Sequence, residues 1–68
     1  MQNEYRVGLF KAMVYKRYTV NEKAVLMHII NELPEDEKEP TAKTFADIVE
    51  HSDTFAEAFG AVERTKII

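Results

Sequence analysis

The sequence predicts an all-α fold, a small bundle of three or four short helices around one core. Apolar residues recur at three- and four-residue spacing in both halves of the 68-residue chain. Hydrophobic residues make up 46% and charged residues 31% of the chain, which is typical of a folded domain and not of a disordered one. Because a chain this short holds only one core, residues 1–68 are predicted to form a single domain.

The first predicted helix precedes residue 19 and is apolar on more than one face. Its apolar residues fall at helical spacing: Tyr5, Leu9, Phe10, Met13, Val14 and Tyr18. A strand is the rival interpretation, but Lys11 and Arg17 interrupt the apolar odd positions. A helix that is apolar around most of its circumference is either wrapped by its own chain or shared with another subunit. A short chain has few residues with which to cover such a helix, so contact with a second subunit is the simpler arrangement. We therefore predict a homodimer.

The second predicted helix runs from about Val20 to Leu33. Val25, Ile29 and Leu33 belong to a stripe that lines one face of this helix. Thr19 and Glu22 have the spacing of a capping box, in which each side chain accepts a hydrogen bond from the backbone amide of the other residue.

A charged segment bounded by prolines, residues 34–40, is predicted to be an acidic loop, because a proline disfavours helix at the residue before it and has no amide donor. This loop would divide the domain into a helical half at 4–33 and another at 41–65. Charge is divided in the same way, since residues 1–31 carry +3 and residues 32–57 carry −7. Such polarity permits a head-to-tail fit between two subunits.

Thr41 is a good N-cap for the second half, where an apolar stripe passes a polar triplet at residues 52–54. We favour a break there, with a new N-cap at Ser52 or Asp53, because such residues compete with helix by bonding nearby backbone. One helix from about 42 to 64 stays open, since the stripe keeps a heptad register across the triplet. The predicted core draws on both halves: Leu9, Phe10, Met13, Val14, Val25, Leu26, Ile29, Ile30, Leu33, Phe45, Ile48, Val49, Phe55, Phe59 and Val62.

With the break, residues 45–48 and 51–56 resemble a helix-turn-helix, with Ala46 inside the first helix and a serine opening the second. This resemblance implies a DNA-binding regulator that uses residues 41–64. Glu50 departs from the family's usual turn glycine, and acidic side chains on the reading helix would repel phosphate. In this alternative, cations from both halves would contact nucleic acid: Lys11, Lys16, Arg17, Lys43 and Arg64.

Acidic residues are the most conspicuous charge feature, and they could meet a basic surface on a partner protein. The predicted partner-binding residues combine these acids with the tyrosines of helix 1: Glu35, Asp36, Glu37, Glu39, Tyr5, Tyr15 and Tyr18. The alternative is that these acids bind no partner and only make the loop soluble. An acidic surface of this kind is similar in style to small inhibitory proteins of phages and mobile elements.

The residue inventory argues against catalysis. The chain has no cysteine, its one serine is Ser52, and its two glycines form no phosphate loop. Asp47 and His51 lie four residues apart, but two ligands do not complete a zinc site, so no metal and no cofactor are expected. Without a long apolar run or a basic leader, we expect a cytoplasmic protein with no membrane segment.

The sequence therefore predicts a non-catalytic regulatory or interaction protein, of inhibitor or adaptor type, that binds a partner protein. A helix-turn-helix DNA-binding regulator is the alternative, and a structural assembly subunit is a further one.

Overall fold

The computed structural model describes residues 4–65, apart from the side chain of Tyr5, and this part of the chain contains helices and no strands. The four helices are α1 (Glu4–Tyr15), α2 (Val20–Asn31), α3 (Glu35–Glu50) and α4 (Phe55–Thr65). The prediction of a small all-helical bundle is confirmed. The central helix is α3, because it packs against the other three and most extensively against α1.

The end of α1 is closed by a Schellman motif centred on Arg17. The Arg17 amide donates to the carbonyl of Val14 (2.9 Å) and the Tyr18 amide donates to that of Met13 (3.0 Å). This geometry holds Arg17 in the left-handed region, with φ of 64°. A side chain there costs roughly 1–2 kcal/mol relative to right-handed backbone, and glycine avoids that cost.

We therefore expect Arg17→Gly to raise the free energy of unfolding by about 0.5–1 kcal/mol, since the greater freedom of glycine in the unfolded chain offsets part of the relief. Urea unfolding followed by circular dichroism measures this change. Lys16→Gly is the matched control, because Lys16 does not have a positive φ. Stabilisation by both variants, or by neither, would contradict this account of the turn.

The start of α2 confirms the predicted capping box. The Glu22 amide donates to Oγ1 of Thr19 (3.1 Å), and the Thr19 amide donates to Oε1 of Glu22 (2.9 Å). Two amides that the helix itself leaves without acceptors are thereby satisfied.

The predicted acidic loop at 34–40 is wrong, because α3 begins at Glu35 and includes Pro40. Pro34 is the N-cap residue, so its effect on the preceding residue acts outside the helix. The three acids that follow lie in the first turn, where the positive end of the helix dipole favours them. Pro40 fits helical φ and costs one backbone hydrogen bond, to the carbonyl of Asp36.

The predicted break in the second half is confirmed, because α3 ends at Glu50 and α4 begins at Phe55. The new N-cap is Thr54, not Ser52 or Asp53: its Oγ1 accepts from the Glu57 amide (3.2 Å). Ser52 instead closes α3, since its hydroxyl donates to the carbonyl of Ile48 (2.7 Å).

The core confirms most of the predicted residues and corrects three of them. Phe10 (46% exposed), Val14 (49%) and Val25 (40%) lie at the surface, because α1 and α2 each bury only one face. The buried hydrophobic residues that were not predicted are three alanines and a tyrosine: Ala12, Tyr18, Ala42 and Ala58. Alanine gives little periodic signal, although it allows two helices to approach closely.

The corner between α2 and α3 is held by Lys38, which is buried although it is charged. Its Nζ donates to the carbonyls of Leu33 (2.8 Å), Asn31 (2.9 Å) and Ile30 (3.3 Å). These carbonyls lie at and just beyond the C-terminal end of α2, where helix carbonyls lack intrahelical partners and a cation is favoured. Lys38 therefore caps one helix from within another.

Candidate functional site

An open groove lies between α2 and the adjoining faces of α3 and α4. It consists of two recesses that share Ile29. One, of about 490 Å³, is lined by Leu33 and Phe45 among others, and the second, of about 560 Å³, is lined by Val25 and Phe59 among others. We call the two recesses together the acidic-rimmed groove. Apolar side chains from three helices thus line an open depression, and its second recess is the shallower of the two.

Helical periodicity explains how the walls of this groove form. Val25 and Ile29 lie four residues apart on one edge of α2, and Leu33 continues this edge in the turn after α2, so that the three span about 12 Å. Glu37 and Thr41 form the opposite wall on α3. The α2 stripe seen in the sequence therefore contributes to both the core and the groove. Leu26 and Ile30 are fully buried in the core, while Val25 is 40% exposed in the groove.

The charged residues that line the groove are acidic. Glu37 lines the first recess and Glu63 the second, and among the described lining residues there is no lysine or arginine. Lys38 follows Glu37 directly, but its ammonium group is directed to the end of α2. The rim of the groove thus carries negative charge.

A second apolar surface lies on the outward side of α1, and we call it the α1 outer face. Val7, Phe10 and Val14 occupy it at spacings of three and four residues, each about half exposed. Arg6 and Lys11 line a recess of about 380 Å³ beside Val7 and Phe10. The Nζ of Lys23 stands 4.8 Å from the centroid of the Phe10 ring, a cation–π contact.

The structure divides the predicted partner-binding residues. Glu35, Asp36, Glu37 and Glu39 are all exposed, but they belong to the first turns of α3 and not to a loop. Tyr15 is 84% exposed. The side chain of Tyr5 lies outside the described residues. Tyr18 is buried and is removed from this surface set.

Tyr18 instead packs in the core, where its ring meets Phe55 edge to face at a centroid distance of 5.4 Å. Its hydroxyl is buried and has no hydrogen-bond partner among the described residues. Burial, and then the nearby Glu22 charge, raise the pKa of Tyr18 above its ordinary value of 10.0. The folded state thus favours the neutral phenol.

We expect Tyr18→Phe to leave the free energy of unfolding unchanged near pH 7 or to raise it by up to about 1 kcal/mol, because it removes an unsatisfied polar group. The raised pKa adds a pH dependence: the stability contributed by the neutral phenol is fully present below the unfolded pKa near 10 and is lost as pH rises through the folded pKa. Urea unfolding at pH 8 and pH 10.5 should therefore show a smaller alkaline loss for the variant. Tyr15→Phe, at an exposed site, should match the wild type at both pH values. A loss of stability in Tyr18→Phe near pH 7 would contradict this account.

The cations predicted for nucleic-acid contact do not form an uninterrupted basic surface. Lys11 and Lys16 line one recess together with Glu50. Lys43 pairs with Glu39 at 3.3 Å. Arg17 closes α1, and Arg64 lies in the last turn of α4. Three of the five cations therefore lie beside a carboxylate that would also face phosphate.

Asp47 and His51 are brought together at the end of α3. Nδ1 of His51 lies 2.8 Å from the Asp47 carbonyl oxygen and 3.4 Å from its Oδ1. The hydrogen bond to the carbonyl, followed by the carboxylate charge, raises the pKa of His51 above 6.5. Among residues 4–65, no group of three or more histidine or acidic side chains is placed to hold a metal ion. The pair is best explained as a helix cap.

Comparisons with known proteins add no family. No family model matches the chain, and no curated protein and no solved structure matches it either. None of the helices within residues 4–65 combines the length and the apolar character needed to cross a membrane.

Proposed function

We propose that this chain is a non-catalytic interaction protein that binds a partner protein in the acidic-rimmed groove. One observation supports this function above others: an apolar concavity stays open between three helices, and its charged lining residues are acids. The segment that fits is an amphipathic helix with apolar anchors and basic flanks, in the helix-in-groove mode of recognition. The proposed type is an inhibitor or adaptor, and its proposed location is the cytoplasm.

The groove suits such a segment in length and in chemistry. The edge of about 12 Å along α2 and the turn after it spans two turns of a docked helix, which would present anchors at spacings of three and four residues. Each fully buried aliphatic anchor contributes about 1.5–3 kcal/mol. Basic flanks beside Glu37 would add orientation and association rate more than affinity.

A phage-displayed library of helical peptides of about 18 residues supplies a probe that does not depend on the identity of the partner. Enriched peptides should share apolar anchors with lysine or arginine flanks. On adding one of them to labelled protein, amide chemical shifts should change most around Ile29, Leu33 and Phe45. Shift changes confined to another surface, or a library without enrichment, would refute the proposal.

Two valines of α2 give a matched pair of variants for this test. Val25 lines the groove, whereas Val20 does not and is 76% exposed. Val25→Asp should weaken peptide binding at least tenfold, because it places a charge where an anchor is buried. Val20→Asp should bind as the wild type does. Equal weakening by both variants would contradict a specific groove.

DNA binding stays the second candidate, and the short connection between α3 and α4 favours it as a helix-turn-helix. On α4, exposed Glu57 and Glu63 count against it, because they would face phosphate. If DNA is bound, duplex affinity at low salt should fall steeply as salt is added, and Lys43→Ala or Arg64→Ala should weaken it. Absence of duplex binding at low salt would remove this candidate. A structural assembly subunit is the remaining alternative.

A further inference from the structure

We propose that the segment seated in the acidic-rimmed groove is the α1 outer face of a second copy of this chain. This inference rests on the proposed function and names its partner. The predicted homodimer would then form by a face-to-groove contact, and not by two identical faces.

The two surfaces match in apolar character and in length. Val7, Phe10 and Val14 form an exposed apolar stripe of about 10 Å on α1. The edge of the groove along α2 and the turn after it runs for about 12 Å. Phe10 is the largest exposed anchor of the stripe, and about half of its side-chain surface lacks cover from its own chain. The groove offers partly buried Ile29 and Leu33 as apolar contacts for it.

The two surfaces also carry opposite charge. The described charged residues that line the α1 recess are Arg6 and Lys11, with Lys23 over the Phe10 ring. Those that line the groove are Glu37 and Glu63. Docking the α1 outer face in the groove would therefore bring cations beside acids.

Charge disfavours the symmetric alternatives. Two α1 outer faces packed together would place Lys11 and Lys23 of both copies around one contact. Two grooves packed together would place Glu37 and Glu63 of both copies around one contact. Because like charges oppose association, the face-to-groove contact is the favourable one. If each copy places its α1 outer face in the groove of the other, the two contacts close a dimer. Otherwise the contacts continue from copy to copy and form a larger assembly.

Complementation between two variants tests this contact. Phe10→Asp disables the α1 outer face and keeps the groove, while Val25→Asp disables the groove and keeps the face. Sedimentation equilibrium from about 10 to 500 µM should show self-association of the wild type and at least tenfold weaker self-association of each variant alone. An equimolar mixture should regain a 1:1 complex, since each variant supplies the half that the other lacks.

Charge reversal gives a second test that does not alter apolar surface. Lys11→Glu and Glu37→Lys should each weaken self-association, and mixing them should restore it through an exchanged ion pair. Circular dichroism and amide NMR spectra confirm that each variant is folded. Val20→Asp, outside both surfaces, should associate like the wild type.

Other results would overturn the inference. A wild type that is monomeric over the whole range would show that a second copy is not the occupant, and groove binding by library peptides would then leave the proposed function standing. Association that survives Val25→Asp but not Phe10→Asp would indicate pairing of two α1 faces. If neither self-association nor peptide binding occurs, the groove itself is wrongly assigned.

Discussion

Lys38→Met should lower the free energy of unfolding by about 2–4 kcal/mol, the largest effect expected of any single substitution here. The variant keeps most of the apolar stem of the side chain, is one atom shorter, and removes three hydrogen bonds to carbonyls at the end of α2. The carbonyl of Ile30 would still accept from the Leu33 amide (3.1 Å), but those of Asn31 and Leu33 would lose this donor in a partly buried corner. The end of the α2 dipole would also lose its cation. Urea unfolding followed by circular dichroism measures the loss, and the melting temperature should fall by roughly 10–30 °C.

Lys43→Met on the same helix is the matched control. Lys43 pairs with Glu39 at 3.3 Å, but both side chains are mainly exposed, so this ion pair contributes less than about 1 kcal/mol. Its removal should change stability by less than about 0.5 kcal/mol. Equal losses in the two lysine variants would show that charge on α3 matters in general, and that the cap at Lys38 does not.

Pro40→Ala should raise the free energy of unfolding by about 1–2 kcal/mol. Pro40 is the sixth residue of α3, inside the helix, where proline is about 3 kcal/mol less favourable than alanine. Alanine restores the amide that bonds the Asp36 carbonyl. The net gain is smaller than the full difference because proline also restricts the unfolded chain.

Thermal and urea unfolding measure this gain, and Pro34→Ala is the control. Pro34 precedes the first helical residue and makes no side-chain cap, so its loss restores no helical hydrogen bond. It should change stability little or lower it slightly. If Pro40→Ala destabilises the protein, then the proline ring must contribute packing in the groove that outweighs the missing bond.

The sequence was most informative where a pattern acts over three or four residues. Thr19 and Glu22 predicted the start of α2 because the capping box depends on local spacing alone. Residues 52–54 predicted the break for the same reason, although the competition among three polar residues hid which of them is the cap. Thr54 is the N-cap because its hydroxyl oxygen accepts from the Glu57 amide. The Glu57 side chain supports this turn by accepting from the amide of Asp53, the residue before the cap, at 3.0 Å.

Features that depend on contacts between distant residues could not be predicted from the sequence. Pro40 indicated a loop, since the packing that keeps α3 helical through it comes from distant residues. Lys38 carried no sign of burial, because its acceptors are carbonyls whose position depends on the angle between two helices. The groove and the α1 outer face could not be predicted for a similar reason: the apolar spacing predicted that Val25 of the groove and Phe10 of the α1 outer face lie in the core, and only the packing shows that both are exposed.

The capping lysine also bears on the order in which the fold assembles. Its three bonds join residues only five, seven and eight positions apart, so little chain entropy is lost in making them. The packing of α1 on α3 requires a much longer closure. We therefore expect the α2–α3 corner to be formed early, and chevron kinetics of Lys38→Met should show slower refolding more than faster unfolding.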